Sequence, residues 1–378
     1  MPAHRPSLIG PLPPFRGGIA QFHQAVADGF EARGASVDRV TFARQYPEWL
    51  FPGKSQLEPG AVGTAPRILD PVNPLTWARA VRHVERAGAD VAVVPYWLSF
   101  FAPMWRAVTA GLGRRGIPSV AIVHNALPHE RRPGDALAAR LAVGACRGLV
   151  VLSESVRDDV RSLGIRLPTE LVAHPTYAAP TSPPPPAQAR AALGLRDAPT
   201  LLFFGFVRPY KGLDVLLDAL PTIQARVPDV QLVVAGEIYH GEAELRARAA
   251  ALGPSVRLDA DYVPSERVPL YFGAADLVVQ PYVSATQSGV ARLAFGHGTP
   301  VLTTDVGGLA EAVPDAVAGR VVPPRDPDAL AAAAADVLLD PALRDRLADG
   351  ARRRAAADGW GPVLDAIDRL AGLADLRV

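Results

Sequence analysis

Residues 200–226 read TLLFFGFVRPYKGLDVLLDALPTIQAR. The opening run is apolar and β-prone, interrupted only by Gly205, and predicts a buried strand over Thr200 to Val207. From Leu213 the apolar residues recur at helical spacing, which predicts a helix over Leu213 to Arg226. A buried strand, a glycine-bearing turn and a helix are the repeating unit of a parallel α/β sheet.

The same alternation continues toward the C-terminus. Strands are predicted at Val230 to Gly236, Val256 to Val263, Asp276 to Pro281, Pro300 to Thr304 and near Val321, with helices at Glu242 to Ala251, Glu266 to Ala274 and Ser288 to Gly296. Toward the N-terminus, strands are predicted at Ser7 to Leu12, Val37 to Phe42, Asp90 to Tyr96, Ser119 to His124, Gly148 to Ser153 and Leu171 to His174. Arg/Ala/Glu-rich helical stretches separate them, the first near Ile19 to Arg33 behind the Gly17-Gly18 turn.

Between the two series lies APTSPPPPAQ (179–188), where consecutive prolines remove backbone donors and favour extended geometry. The expected organisation is therefore a first domain over 1–178, a linker over 179–190 and a second domain over 191–355. The Ala/Arg/Leu-rich stretch Asp326 to Leu376 reads as helical, and residues 356–378, around Trp360, are expected to cross back to the first domain. The fold class is α/β, two doubly wound Rossmann-like domains, expected to face each other across a cleft lined by the carboxyl ends of both sheets. A length of 378 residues agrees, because single cores stop growing near ~250–300 residues. The pattern breaks from Arg44 to Thr76, in RQYPEWLFPGKSQLEPG and its continuation. That length suits either a substrate-facing loop or a surface insertion anchored by its aromatics.

Composition removes several classes of function. With 39 Lys+Arg against 38 Asp+Glu there is no global field to attract nucleic acid, so any anion must be bound locally. The single cysteine, Cys146, excludes an internal disulfide and fits a reducing cytoplasm. MPAHRPSLIGPLPPF lacks the apolar run of a signal peptide, and no segment approaches the ~18 apolar residues of a membrane span. The expected location is cytoplasmic, with peripheral contact at the inner membrane face left open.

Arg208 and Lys211 stand after a buried strand, placed to neutralise a phosphate, although alone such a pair also reads as solvated turn residues. Thr286, Gln287, Ser288, Gly289 and Val290 lie at the start of a helix, where free amides and the dipole favour an anion; Ser288 is equally compatible with an ordinary N-cap. Gly17 and Gly18 permit close backbone approach to a ligand but lack a full GxGxxG fingerprint. His124 ends a strand, with His129 and Glu130 in the loop beyond, and suits a hydrogen bond to a sugar hydroxyl or reacting oxygen as well as a structural role. Glu237 follows another strand end and is either a hydroxyl acceptor or an exposed loop carboxylate. Asp259 and Asp261 form a DxD pattern inside a predicted strand, with no other evident oxygen ligands, so no metal site is assigned.

Together these segments resemble glycosyltransferase family 4, the group 1 retaining transferases of GT-B fold. The likeness rests on GFVRPYKGLDVLL, VVAG, DYVPSERVPLYFGAADLVVQPY and GTPVLTTDVGGLAEAV, in that order, across about Thr200 to Val313. It implies transfer of a sugar from a nucleoside diphosphate-sugar co-substrate to a glycan, lipid-linked or small-molecule acceptor, without a metal or other cofactor. It also implies that Arg208 and Lys211 contact the donor diphosphate, that backbone near Tyr262 and Val263 faces the nucleobase, and that Ser288 to Val290 cap a phosphate. Gly17 and Gly18 would approach the donor phosphates or the acceptor, and His124 the donor sugar. Two positions depart from the family pattern. The paired glutamates are replaced by Ala285 and Leu293 within an ATQSGV variant, leaving Thr286 or Gln287 for the ribose, and Phe206 stands where the phosphate arginine usually lies. Two rival readings are a nucleotide-sugar epimerase of the same architecture and a catalytically weak sugar-nucleotide-binding partner protein.

Overall fold

The computed structural model describes residues 4–51, 53–128, 132–177 and 183–373. His129, Glu130 and linker residues 179–182 lie outside the described residues, as does the end of the last predicted helical stretch. The chain forms two compact units, residues 1–173 with 360–378, and residues 174–359.

The first unit holds seven parallel strands: β1 Pro6–Ile9, β2 Asp38–Phe42, β3 Arg67–Leu69, β4 Val91–Tyr96, β5 Ser119–Val123, β6 Gly148–Val151 and β7 Thr169–Leu171, in the order β3-β2-β1-β4-β5-β6-β7. The second holds six: β8 Thr200–Phe204, β9 Gln231–Ala235, β10 Val256–Asp259, β11 Leu277–Gln280, β12 Val301–Thr304 and β13 Gly319–Val322, in the order β10-β9-β8-β11-β12-β13. Both are doubly wound. In each, the order reverses beside the first strand, so a crevice at the carboxyl ends opens between β1 and β4 and between β8 and β11.

The central strands are near-continuous apolar runs because helices cover both faces. In the second unit one face packs helices Leu213–Arg226 and Pro327–Leu339, and the other packs Pro186–Leu193, Val268–Ala274, Gly289–Gly296 and Pro341–Ala357. Helix Gly361–Ala371 docks on the first unit, where Gly29 leaves room for Leu364 and Trp360 meets Phe22 edge to face at 4.9 Å. Surface pairs Arg33–Asp365 and Arg369–Glu170 flank it.

Several expected boundaries shift for local reasons. The strand predicted to Val207 stops at Phe204 because Gly205 turns to a φ of 91°. The strand predicted to Val263 ends at Asp259, and the one predicted at Leu171 to His174 lies at Thr169–Leu171. Residues 186–190, predicted as linker, are instead helical. Pro186 occupies the first helical position, where no N–H is missed, and buried Arg190 ties the helix to Asp197, Asp276 and the Ala274 carbonyl. The short β3 falls within the stretch where no strand was expected; Arg67 anchors it through the Phe42 and Ala43 carbonyls. The long segment around it is anchored by its aromatics. Gln56 clasps Tyr46 with two hydrogen bonds, the Tyr46 hydroxyl accepts from Trp97 Nε1 at 2.8 Å, and Tyr46 packs on Phe51 and Phe101.

Candidate functional site

The turn after β8 builds the most distinctive chemistry. A short 3-10 turn, Pro209–Lys211, ends at Gly212, whose φ of 66° starts the next helix; a Cβ there would overlap the Pro281 carbonyl oxygen. This tight passage folds Lys211 inward. Its side chain is buried, its Nζ lies 5.6 Å from the Tyr282 ring centroid, and a Cβ at Gly205 would stand 3.2 Å from Nζ and 3.6 Å from Val290 Cγ2. Burial pushes the ammonium below the usual lysine range, with the Arg208 charge adding to that effect and Tyr210 opposing it.

Arg208 lies over two rings, 5.9 Å from the Tyr210 centroid and 5.7 Å from Tyr239, and its buried Nε has no hydrogen-bond partner. Among the described residues neither Arg208 nor Lys211 makes an ion pair. Neighbouring cations without carboxylates are costly unless an anion completes them.

The loop after β11 faces this turn across the β8/β11 crevice. Helix Gly289–Gly296 begins there, and Ser288 does not cap it. Its hydroxyl instead accepts from Gln280 Nε2 at 2.6 Å, so the first amides of the helix have no side-chain cap. A Cβ at Gly289 would meet only Tyr177 Cε2, at 3.9 Å, so packing does not demand glycine there. Thr286 is buried and its carbonyl accepts from Gly308 at 3.1 Å, while Gln287 and Val290 are partly buried beside it. Glu237 is 1% exposed, so it is not an exposed loop carboxylate. Tyr262 is partly exposed and Val263 packs into the core.

Ala285 is buried, and Leu293 packs against the core behind the helix, so neither offers a polar contact. The Asp pair separates. Asp259 is taken up by Arg257 at 2.8 Å and the Tyr271 hydroxyl at 2.7 Å, while Asp261 is exposed. No group of three or more His, Cys, Asp or Glu side chains suited to a metal occurs among the described residues.

In the first unit the matching crevice lies between β1 and β4. Gly17, with a φ of 104°, precedes helix Gly18–Ala32, which has no side-chain cap and no acid in its first turn. Gly18 is exposed, and a Cβ on it would meet nothing within 4 Å. His124, just past β5, is buried, with Phe22 edge-on at 5.0 Å, and its amide donates to the Tyr96 carbonyl.

Sequence reasoning passed over Gln280, Tyr282 and Arg292. Gln280 is the visible signal, a polar residue closing the apolar run LVVQ at a carboxyl edge. Arg292 is buried on Asp358 at 2.5 Å, and nothing local to its helix announced that partner.

Two family descriptions match this chain: Glycosyltransferase Family 4 over residues 16–175 and Glycosyl transferases group 1 over residues 198–340. A D-inositol 3-phosphate glycosyltransferase from Xylanimonas cellulosilytica is 34% identical over 303 residues, covering 75% of this chain and 71% of that protein. The chain belongs to the family 4 glycosyltransferases. A protein of the same name from Frankia alni is 40% identical over 189 residues, covering 47% of this chain but only 46% of its own length. Among solved structures, sucrose-phosphate synthase from Thermosynechococcus elongatus aligns over 99% of this chain and 100% of its own, with a TM-score of 0.74 and 20% identity. The Anabaena protein HepE in complex with UDP-glucose aligns over 97% and 99%, with a TM-score of 0.76 and 19% identity. At such identities the likeness concerns the fold, which for this glycosyltransferase is GT-B, two Rossmann-like α/β units. Among its described residues no helix is long and apolar enough to cross a membrane.

Proposed function

We propose that this glycosyltransferase moves a sugar from a nucleoside diphosphate-sugar to an acceptor hydroxyl, with retention at the anomeric carbon. The observation that carries the reading is the pair Arg208 and Lys211, which lack carboxylate partners at the switch point of the second unit, opposite an uncapped helix start. A diphosphate answers both features at once. The printed name of the inositol 3-phosphate relatives supports glycosyl transfer, and the UDP-glucose in the Anabaena complex supports a sugar-nucleotide donor.

In this reading the acceptor oxygen bonds the anomeric carbon on the face the diphosphate leaves, the glycosidic bond to the diphosphate breaks, and the acceptor's proton passes to the departing phosphate oxygen while the rest of the negative charge stays on the leaving diphosphate. Arg208, Lys211 and the amides of Ser288 to Val290 are fixed before the reaction, so they meet that charge without reorganising. Thr286 and Gln287 are the candidates for the ribose, Glu237 accepts from sugar hydroxyls, and backbone near Tyr262 and Val263 faces the base. From the first unit, Gly17, Gly18 and His124 are the candidates for contact with a ligand. Neither a protein nucleophile, a metal nor a cofactor is assigned a step. The acceptor is a glycan, a lipid carrier or a small molecule, with the enzyme in the cytoplasm or at a membrane face.

Screening the protein against UDP-, GDP- and ADP-sugars with candidate acceptors, and analysing the anomeric configuration of the product, tests this assignment. Lys211→Ala is expected to reduce turnover by roughly 10²- to 10³-fold in a folded protein. Near-normal turnover in that variant, or a product that is only a rearranged sugar nucleotide, contradicts it.

A further inference from the structure

Strand β11 reads Leu277, Val278, Val279, Gln280, and all four residues are buried, Gln280 at 1% exposure. A glutamine at that depth is costly unless both ends of its amide are bonded. Here they are not: among the described residues Gln280 Oε1 has no hydrogen-bond partner. A leucine or methionine would fill the same place without that cost, so stability does not account for the amide. What the amide does is meet hydroxyls. Its Nε2 donates to Ser288 Oγ at 2.6 Å and lies 3.5 Å from Tyr282 Oη, and the Tyr282 ring is the one beside Lys211 Nζ.

A second serine in the chain shows what Ser288 forgoes. Ser153 follows the wholly apolar strand β6, has an extended backbone (φ −155°, ψ 158°), and accepts from the Val156 amide at 3.3 Å, capping helix Glu154–Ser162. Ser288 stands in the same position before helix Gly289–Gly296. Its φ of −139° and ψ of 115° are the backbone of an N-cap, yet its side chain caps nothing. The two serines differ in the strand behind them, since β6 ends in Val151 and β11 in Gln280. A Ser288 hydroxyl turned onto its own helix would take the amide of Val290 or Ala291, and the first of these is among the amides assigned to the phosphate.

We propose that Gln280 is a positioning residue of the diphosphate site, holding the Ser288 hydroxyl off the start of its helix so that the amides there stay open to the anion. The inference rests on the donor reading above and adds to it a residue that acts through Ser288 rather than on the ligand. Without Gln280, the ligand must displace a serine cap worth roughly five- to tenfold in an equilibrium constant.

Calorimetric titration of UDP and inorganic pyrophosphate into wild type, Gln280→Leu, Gln280→Met, Ser288→Ala and the two double variants tests the proposal. With Ser288 present, each apolar substitution at 280 is expected to weaken both ligands by roughly five- to tenfold. The melting temperature should stay the same or rise, because a cap is gained and an unpaired Oε1 is lost. With alanine at 288, the same substitutions are expected to change affinity by less than about twofold, since no hydroxyl remains to close the amides. Dependence on Ser288 is the readout that a merely structural glutamine would not give. Unchanged affinity in both Gln280→Leu and Gln280→Met overturns the proposal. An equal loss in the two backgrounds also overturns it, because Gln280 would then act through the Tyr282 ring beside Lys211. So does a fall in melting temperature in both apolar variants, which marks a structural amide. If the wild type binds UDP or pyrophosphate while the coupling to Ser288 is missing, the role of Gln280 alone falls. If the wild type binds neither ligand, the donor reading falls and takes that role with it.

Discussion

The two units share a strand order around their switch points and equip those points differently. In the second, the turn after the first strand carries Arg208 and Lys211, held against rings and without carboxylates. In the first, the corresponding turn offers Gly17 and Gly18 and the uncapped start of helix Gly18–Ala32, with His124 packed edge to face on Phe22. The second presents a pair of cations without carboxylate partners, and the first an uncapped helix start with His124 nearby. The shared topology supplies a place for a ligand, and the loop residues decide what chemistry occurs there.

Glycines make the contrast testable. The largest effect is expected at Gly212, where a positive φ and the Pro281 carbonyl forbid a side chain: Gly212→Val should cost about 3 kcal/mol or more in chemical denaturation. The first unit's Gly18 has open space, so Gly18→Ala should stay within about 0.5 kcal/mol of wild type by the same assay. If both substitutions destabilise equally, the distinction between a packed turn and an open one fails.

Next comes Gly289, which packing does not require. Gly289→Ala should leave stability unchanged and weaken nucleoside diphosphate binding by roughly tenfold, because the methyl group intrudes where a phosphate approaches the amides. Unaltered affinity would remove the helix start from the donor site.

The smallest effect concerns pH and belongs to the first unit. His4 pairs with Asp90 at 2.8 Å and with Asp368, on the returning helix, at 3.2 Å. Burial opposes its charge, but the Asp368 carboxylate beside Nε2 and the hydrogen bond to Asp90 outweigh that and raise its pKa from 6.5 to about 9. The folded state therefore binds more protons between these values. The pairing contributes fully below about pH 6.5 and is lost as pH rises through about 9. With partial solvent screening, the loss should be on the order of 1 kcal/mol, seen in unfolding followed across that range and absent in His4→Gln.

Much of this was legible in the sequence where the signal is local. The strand, turn and helix of residues 200–226 revealed a doubly wound unit, and the positions of Lys211 and Ser288 at element ends marked the crevice. Partner choice was not local. Whether Ser288 capped its helix depended on Gln280, eight residues earlier on another element, and the burial of Glu237 depended on how the chain beyond β9 packs. The helix at Pro186–Leu193 was hidden because prolines that forbid a helix interior are welcome in its first turn, and because its anchor, Asp276, lies far along the chain. Phe206 read as the loss of an arginine, and only the fold placed it beside Tyr239 and Tyr262.

Titrating pyrophosphate and UDP into wild type and Lys211→Met tests most directly whether the cations at the second switch point, which lack carboxylate partners among the described residues, hold a diphosphate. A buried ammonium without a carboxylate costs stability, so the methionine variant should melt no lower than wild type while losing at least about tenfold in affinity for both ligands. Full affinity in that variant, or a melting temperature that falls together with the affinity, would contradict the account.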